Sequence, residues 1–520
     1  MAEVLPLGTN FDLGFQSDTS RDELNPRAAF RMYDYLPQME APLRGRGGWR
    51  FGSPDLSSLG PCSSVASLGW LPFQADGQLV AVGDTGTVFQ LKRFDGSGGT
   101  RVIDSGDGTI VPTQPVFWHR NVTPGDMGVI LGGLTQPGKA PKKYYDTGSL
   151  AYTAAPLGGT PPLARMGFSW GDYLVLGNFY DPSDGGKLKN NRWAFSDVGL
   201  PETWLLTGAN QSVMDFPEEI VCGLPLQNTI LAFGYQDVHS VTGRTPPPGG
   251  DLDRRTLFAG TGTFDGRSVV GWRSYAIWAN NSGVWMSDGA TLSDLTAAGG
   301  ISVYYRQLVT GLSFVTGASA VAGIYRDHYV LTLHNQAGVL LGTLVCDIQR
   351  KVWTMWTNVG AACYAHRAAA PGTATSMSDE ELYFGSAVLP RVCRVSSLWT
   401  PSAAYAYDGD GAPVQPVLET PYYRVGGLSK KRLRFVYTGY DLRAVGGATT
   451  LDYSFALSPE PGAPYVTGYR LPATSRFVRK RMRVARGDLG VGFRFAQNGA
   501  SASTRMYSIE TEAHPWEVTR

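Results

Sequence analysis

The sequence predicts an all-β fold: a β-propeller of about seven blades followed by a C-terminal antiparallel β-sandwich. Three observations carry this expectation. The 520 residues include 65 Gly and 33 Pro. A helical protein does not tolerate that density of breakers, because each interior Gly costs a helix about 1 kcal/mol and each Pro about 3 kcal/mol. The 13 Trp, 25 Tyr and 22 Phe are spread along the whole chain, so the breakers separate packed, aromatic-rich strands rather than mark low complexity. Strand-like pairs, each closed by a turn, recur at intervals of roughly 40 to 60 residues, a period typical of propeller blades.

Residues 1–64 read as an extended N-terminal arm. It holds one short helix over residues 25–35, opened by Asn25-Pro26, because Pro is well placed in a first helical turn. The basic, glycine-rich stretch APLRGRGGWRFGS follows. Residues 65–400 form the expected propeller, marked by seven hairpins. These pair residues 79–82 with 87–92, 129–131 with 143–145, 173–176 with 192–196, 230–233 with 238–242, 276–279 with 283–287, 328–334 with 339–347, and 381–386 with 392–396. In each the first strand is apolar, and the second often ends in an aromatic or polar residue. An array of large β-sandwiches would give a similar rhythm.

After Trp399 the texture changes, and residues 401–520 read as a basic β-sandwich domain that opens on a loop. Over residues 431–440, Leu433, Phe435 and Tyr437 share one face of a strand, and Arg432 and Arg434 take the other. Over residues 477–484, Val478, Met482 and Val484 face one way and Arg479, Arg481 and Arg483 the other.

The formal net charge is +1, so the total points to no partner; its distribution is more telling. Residues 401–520 hold 16 Lys and Arg against 10 Asp and Glu, whereas residues 1–400 hold 29 against 34. The densest basic run is Arg470, Arg476, Arg479, Lys480, Arg481, Arg483 and Arg486, with no acidic residue among them. A row of Arg can neutralise phosphates along a DNA channel, meet an acidic neighbouring subunit, or face solvent. Only Phe477 accompanies it, whereas a dedicated single-strand binder stacks bases on several rings. Arg486-Gly487-Asp488 spells an adhesion tripeptide, which at three residues is expected by chance.

No catalytic constellation emerges, and the chain is expected not to be an enzyme. HExxH and complete Walker sequences are missing. His328 and His334 would share one strand face, but strand-end His are more often hydrogen-bonded than metal-ligating. The Asp-Gly pairs, Asp288-Gly289 among them, do not have the spacing of a twelve-residue calcium loop and suit hairpin turns. SDGAT at residues 287–291 echoes the Asp-box of sialidase propellers once only. Glu218-Glu219 and Asp379-Glu380-Glu381 read as solvated loops rather than a glycosidase pair. The five Cys are far apart and odd in number, which suggests neither a disulfide framework nor a zinc site. No cofactor or metal is expected. The N-terminal residues do not resemble a signal peptide, and no apolar run approaches the ~18 residues of a membrane span. A soluble protein made in a reducing cytoplasm is the expectation.

One ordered set of phrases carries a resemblance. Residues 187–197, KLKNNRWAFSD, run into a Gly-x-Pro-Glu-x-Trp phrase ending at Trp204. LAFG at 231–234, VHSVTG at 238–243, GTF at 262–264 and SGVWMSDG at 282–289 follow in order. The set resembles the propellers of bacteriophage tail proteins, namely short-tailed phage nozzle proteins and some long-tailed phage tail-tip proteins. Asn25-Pro26 and residues 43–47, LRGRG, are similar to the N-terminal segment of nozzle proteins. The resemblance implies a virion tail component made in the host cytoplasm. It implies a ring of copies, six in a nozzle, that closes or extends the DNA exit channel. Adaptor, portal-side, fibre or spike proteins would be its neighbours, with non-specific contact to packaged DNA. Two other readings stay open. One is receptor recognition at the tail tip, binding a host glycan or protein through loops such as Tyr304-Tyr305 and residues 401–410. The other is a propeller glycosidase acting on the cell envelope.

Overall fold

The structure is a computed structural model. It describes residues 3–9, 13–18, 25, 28–29, 31–33, 35–36, 43–45, 49–51, 62–71, 78–91, 100–104, 116–118, 126–131, 140–147, 152–227, 229–314, 317–367, 381–387, 389–395, 414, 416–424, 431–444, 449–456, 466–472, 474–483, 490–498 and 501–515. Seven antiparallel four-strand blades follow one another along the chain. Blade one is Val65–Leu71, Gln78–Gly83, Val88–Leu91 and Thr100–Asp104. Blade two is Val116–Trp118, Met127–Ile130, Lys142–Asp146 and Tyr152–Pro156. Blade three is Leu163–Trp170, Tyr173–Asp181, Lys187–Asp197 and Leu200–Trp204, with Val213–Asp215 added beside its third strand. Blade four is Ile220–Pro225, Ile230–Gly234, Val238–Thr242 and Asp253–Phe258. Blade five is Val270–Trp272, Tyr275–Ala279, Val284–Ser287 and Leu292–Asp294.

The helices Leu295–Ala298 and Ser302–Val309 lead into blade six, Ser319–Tyr325, His328–His334, Leu340–Asp347 and Val352–Trp356. Blade seven has three strands of its own, Ala361–Arg367, Glu381–Ser386 and Val392–Val395. Its fourth, outer strand is Trp49–Phe51 from the N-terminal arm, paired through Phe51 and Cys393. Six blades are separate sheets, and blade six is the first part of a nine-stranded sheet. The expected seven hairpins are the second and third strands of these seven blades.

First strands line the centre and touch in sequence around the ring; between blades four and five the contact runs through the 3₁₀ turn Gly266–Ser268. Blade seven closes onto blade one, where a Cβ at Gly385 would lie 2.6 Å from the Val65 side chain. Only a glycine admits that approach. Second strands are buried on both faces by neighbouring blades, so Ile230–Gly234 is apolar throughout and fully buried, as a strand packed on two sides must be. Each such Val, Leu, Ile or Phe contributes about 1.5–3 kcal/mol.

The 3₁₀ turn stitches three blades. The Asp265 side chain caps it through Arg267 N, binds the Arg267 guanidinium at 2.7 Å, and accepts from Ala320 N of blade six at 3.1 Å. Tyr329 of blade six donates to Ser268 O at 2.9 Å, and Thr263 Oγ1 donates to Ala279 O of blade five at 2.9 Å.

The C-terminal region is a sandwich of two antiparallel sheets. One contains Val417–Arg424, Gly490–Asn498, Thr450–Ala456 and Val466–Pro472 and continues the sheet of blade six. The other centres on Lys431–Ala444, flanked by Ser501–Pro515 and Thr474–Arg483, with Glu3–Thr9 beyond. Leu418, Tyr453, Phe493 and Phe495 from the first sheet meet Tyr440, Leu442, Met506 and Ile509 from the second in one core. That core runs on into blade six through Leu331, Leu344 and Trp353.

The helix expected over residues 25–35 does not form. Arg31–Tyr33 and Tyr35–Leu36 are strands. Arg31–Tyr33 pairs antiparallel with Val417–Arg424 and parallel with Val352–Trp356 at Tyr33 and Met355. Strand partners on two sides override a local helix signal. Among the described residues, no helix is long and apolar enough to cross a membrane.

Candidate functional site

The turn between the first two strands of blade three builds the most developed surface site among the described residues. Trp170 and Tyr173 are the last cross-strand pair before the two-residue turn Gly171-Asp172. Gly171 takes φ +54°, the left-handed conformation that the first central residue of such a turn needs. The turn sets the two rings side by side, 5.6 Å between centroids and 21° apart in plane. Their inner sides pack on the core shared by blades three and four, which includes Phe195, Ile230 and Val241.

A cleft of about 480 Å³ opens against this pair, lined also by Asp172, Gln227, Thr229 and Arg244. Every wall is pinned. Asp172 O accepts from Gly199 N at 2.9 Å. The turn of blade four is closed by Leu226 N to Thr229 O at 2.7 Å, and Thr229 Oγ1 donates to Val241 O at 3.1 Å. Beyond Gly243, the Asp251 carboxylate accepts from Arg244 N and Thr245 N at 2.8 and 2.7 Å. Those two amides hold the Asp251 carboxyl below the usual carboxylate range. Burial, then the charges of Asp197 and Asp172, pushes the Tyr173 phenol up.

The basic residues separate. Arg470 lies on Val466–Pro472 and is tied to Asp452 of the adjacent strand at 3.1 Å. Arg476, Arg479, Lys480, Arg481 and Arg483 lie in the other sheet on Thr474–Arg483, an end strand among the described residues. Their register places Arg479, Arg481 and Arg483 opposite Gly439, Tyr437 and Phe435. Arg486 lies outside the described residues, as does the loop at 401–410.

Other sequence candidates are absorbed by the fold. His328 and His334 stand at opposite ends of one strand, about 20 Å apart at ~3.3 Å per residue. Burial lowers both, the second to about 4 with help from the Arg267 charge. Among the described residues, no group of three or more His, Cys, Asp or Glu could hold a metal ion. The Asp288 carboxylate is used by its own turn, accepting from Ala290 N and Thr291 N. Glu218 accepts from Gln236 N and Asp237 N, both at 2.9 Å, and Glu219 from Asn178. Glu381 is held between Arg367 and Arg394 and accepts from the Tyr383 hydroxyl. Tyr304-Tyr305 is no exposed loop: both lie in Ser302–Val309, and buried Tyr305 donates to Asn280 O at 2.7 Å. All five cysteines are free thiols.

Sequence reasoning did not single out the cleft. The signal that could have found it is Trp-x-x-Tyr, present at 170–173 and again at 272–275.

No family model matches the chain, and no curated protein matches it. Among solved structures, it is similar to an exo-β-1,3-galactanase from Phanerochaete chrysosporium with β-1,3-galactotriose, at 10% identity and a TM-score of 0.30. That match covers 86% of this chain and 95% of the other. The galactanase with galactose gives 8% identity, 89% and 100% coverage and a TM-score of 0.29. YCF48 bound to D1 peptide gives 11% identity, 68% and 98% coverage and a TM-score of 0.37. Likenesses this distant carry no argument about function.

Proposed function

We propose that this chain is a non-catalytic recognition component of a bacteriophage tail, whose propeller presents one face to a partner on the host surface. The observation that carries the reading is the preformed cleft between blades three and four. Concave clefts that set aromatic side chains beside a few placed polar groups are the usual form of a binding site. The tail context rests on the ordered phrases from Lys187 to Gly289. Labelled protein is expected to bind intact cells of a susceptible bacterium saturably, with Trp170→Ala abolishing retention. Unsaturable retention, or retention indifferent to that substitution, overturns the reading. Reducing-sugar release from cell envelopes would overturn its non-catalytic part.

A second reading, a nozzle-like ring subunit, is favoured by the basic end strand Thr474–Arg483. Charge on an edge strand blocks unwanted strand pairing and suits an acidic neighbour or phosphates. Leu188, Leu200 and Leu205, 45%, 46% and 51% exposed on blade three, add apolar surface for a neighbouring copy. Reversing Arg479, Arg481 and Arg483 to Glu is then expected to disrupt a six- or twelve-fold ring, or genome retention, while the monomer stays folded. Native mass and symmetry read the outcome, and normal assembly of infectious particles makes the strand a solvated face.

A further inference from the structure

The molecule contains an internal control for the cleft. Blade five repeats the turn of blade three: Trp272 and Tyr275 are the last cross-strand pair, their rings 5.9 Å apart. Arg273 takes φ +54° in place of Gly171. There the Trp ring of the pair is covered. Arg273 lies over the Trp272 ring at 4.7 Å, and both Arg273 and Trp272 Nε1 bind Asp327 of blade six, at 3.0 and 3.2 Å. At blade three the covering Arg is Gly171, around which a Cβ would meet nothing within 4 Å. The facing turn of blade four offers Gln227 and Thr229 where blade six offers Asp327. The same device thus locks two blades together in one place and stands open in the other.

We propose that the open cleft holds a neutral pyranose ring of a cell-surface polysaccharide, its C–H face on Trp170 and Tyr173 and its hydroxyls on Asp172, Gln227, Thr229 and Arg244. This rests on the recognition reading above and names its ligand. The weakly positive ring hydrogens of a sugar suit the negative face of an aromatic ring. A carboxylate, an amide and a guanidinium bind adjacent hydroxyls with two donors or acceptors each. The volume, about 480 Å³, falls within the ~300–1,000 Å³ of small-molecule sites. The charge selects the class. Asp172 and Asp197 both act on the Tyr173 hydroxyl, whereas the one cation, Arg244, also faces Asp251. Sialic and uronic acids therefore meet net repulsion.

The test uses the full chain on an array of immobilised oligosaccharides. A neutral arm carries glucose, galactose, mannose and N-acetylglucosamine oligomers, and an acidic arm carries sialylated and uronate-containing ones. Saturable binding is expected on the neutral arm, weakened at least tenfold by Trp170→Ala and largely restored by Trp170→Phe. Trp272→Ala, at the covered ring, is expected to leave binding unchanged, with circular dichroism confirming that each variant is folded. Binding confined to the acidic arm, or neutral binding indifferent to Trp170→Ala, overturns the proposal. No binding on either arm, with Trp170-dependent retention on cells, overturns the sugar and leaves the recognition reading standing. No retention on cells overturns both.

Discussion

Removing the Asp265 carboxylate strands a buried charge at the junction of three blades. It binds Arg267 Nε at 3.1 Å and its terminal nitrogen at 2.7 Å, and accepts from Arg267 N and Ala320 N at 3.0 and 3.1 Å. The Asp265 and Arg267 side chains are only 12% and 18% exposed. Breaking such a pair from one side costs about 3–5 kcal/mol, because the remaining charge is neither solvated nor paired. With an unfolding entropy of about 2.1 cal/mol/K per residue, a 520-residue chain has about 1.1 kcal/mol/K in total. Asp265→Ala is therefore expected to lower Tm by about 3–5 °C. Adding Arg267→Met removes the stranded charge, and the double variant is expected to regain at least half of the loss. Differential scanning calorimetry of the four proteins in the cycle reads both quantities. A single variant within about 1 °C of the parent, or a double variant no more stable than Asp265→Ala, would show that the pair does not staple the blades.

Three further outcomes follow from the same geometry. Gly385→Val places a side chain against Val65, 2.6 Å from where its Cβ must lie, and is expected to cost about 1–3 kcal/mol, read as a lower urea midpoint. His334 titrates near 4 when folded and near 6.5 when unfolded, a difference of about 3 kcal/mol. The unfolded chain takes up its proton first, so stability is lost as pH falls from about 6.5 to about 4 and no further below; His334→Gln should flatten that part of the urea-midpoint profile, and an unchanged slope refutes the assignment. Glu218→Gln leaves one of the Gln236 and Asp237 amides without its acceptor, at a cost of about 1–3 kcal/mol, seen as faster hydrogen exchange at those two amides.

What the sequence disclosed depended on how local the cause was. The second and third strands of every blade were legible because a hairpin writes its apolar run and its turn in one short continuous stretch of chain. Ile230–Gly234 and Val238–Thr242 are an example. Arg31–Tyr33 was illegible as a strand because its partners begin at Val352 and Val417; nearby residues offer only Asn25-Pro26, which points to a helix. Likewise, no periodicity announces that Trp49–Phe51 completes blade seven. The basic run was visible as charge, but its division between two sheets, and the engagement of Arg470 by Asp452, required the strand pairing. The cleft stayed hidden because its walls come from four separate turns, and Trp170 looks like any core aromatic until the turn around Gly171 is seen.

The returning N-terminal arm sets the order in which this molecule can be completed. Trp49–Phe51 waits for Val392–Val395, and Arg31–Tyr33 for Val352–Trp356 and Val417–Arg424. Glu3–Thr9 waits for Ser501–Pro515. During synthesis these early segments leave the ribosome hundreds of residues before their partners exist, at ~5–20 residues per second. For that interval the nascent chain carries unpaired strand edges and an open ring. Closure is thus a late event with large loop-closure entropy, and such topologies fold slowly. The same threading means that, after a single cut beyond residue 51, the outer strand of blade seven and the strand that joins blade six to the sandwich would be held by pairing and packing alone.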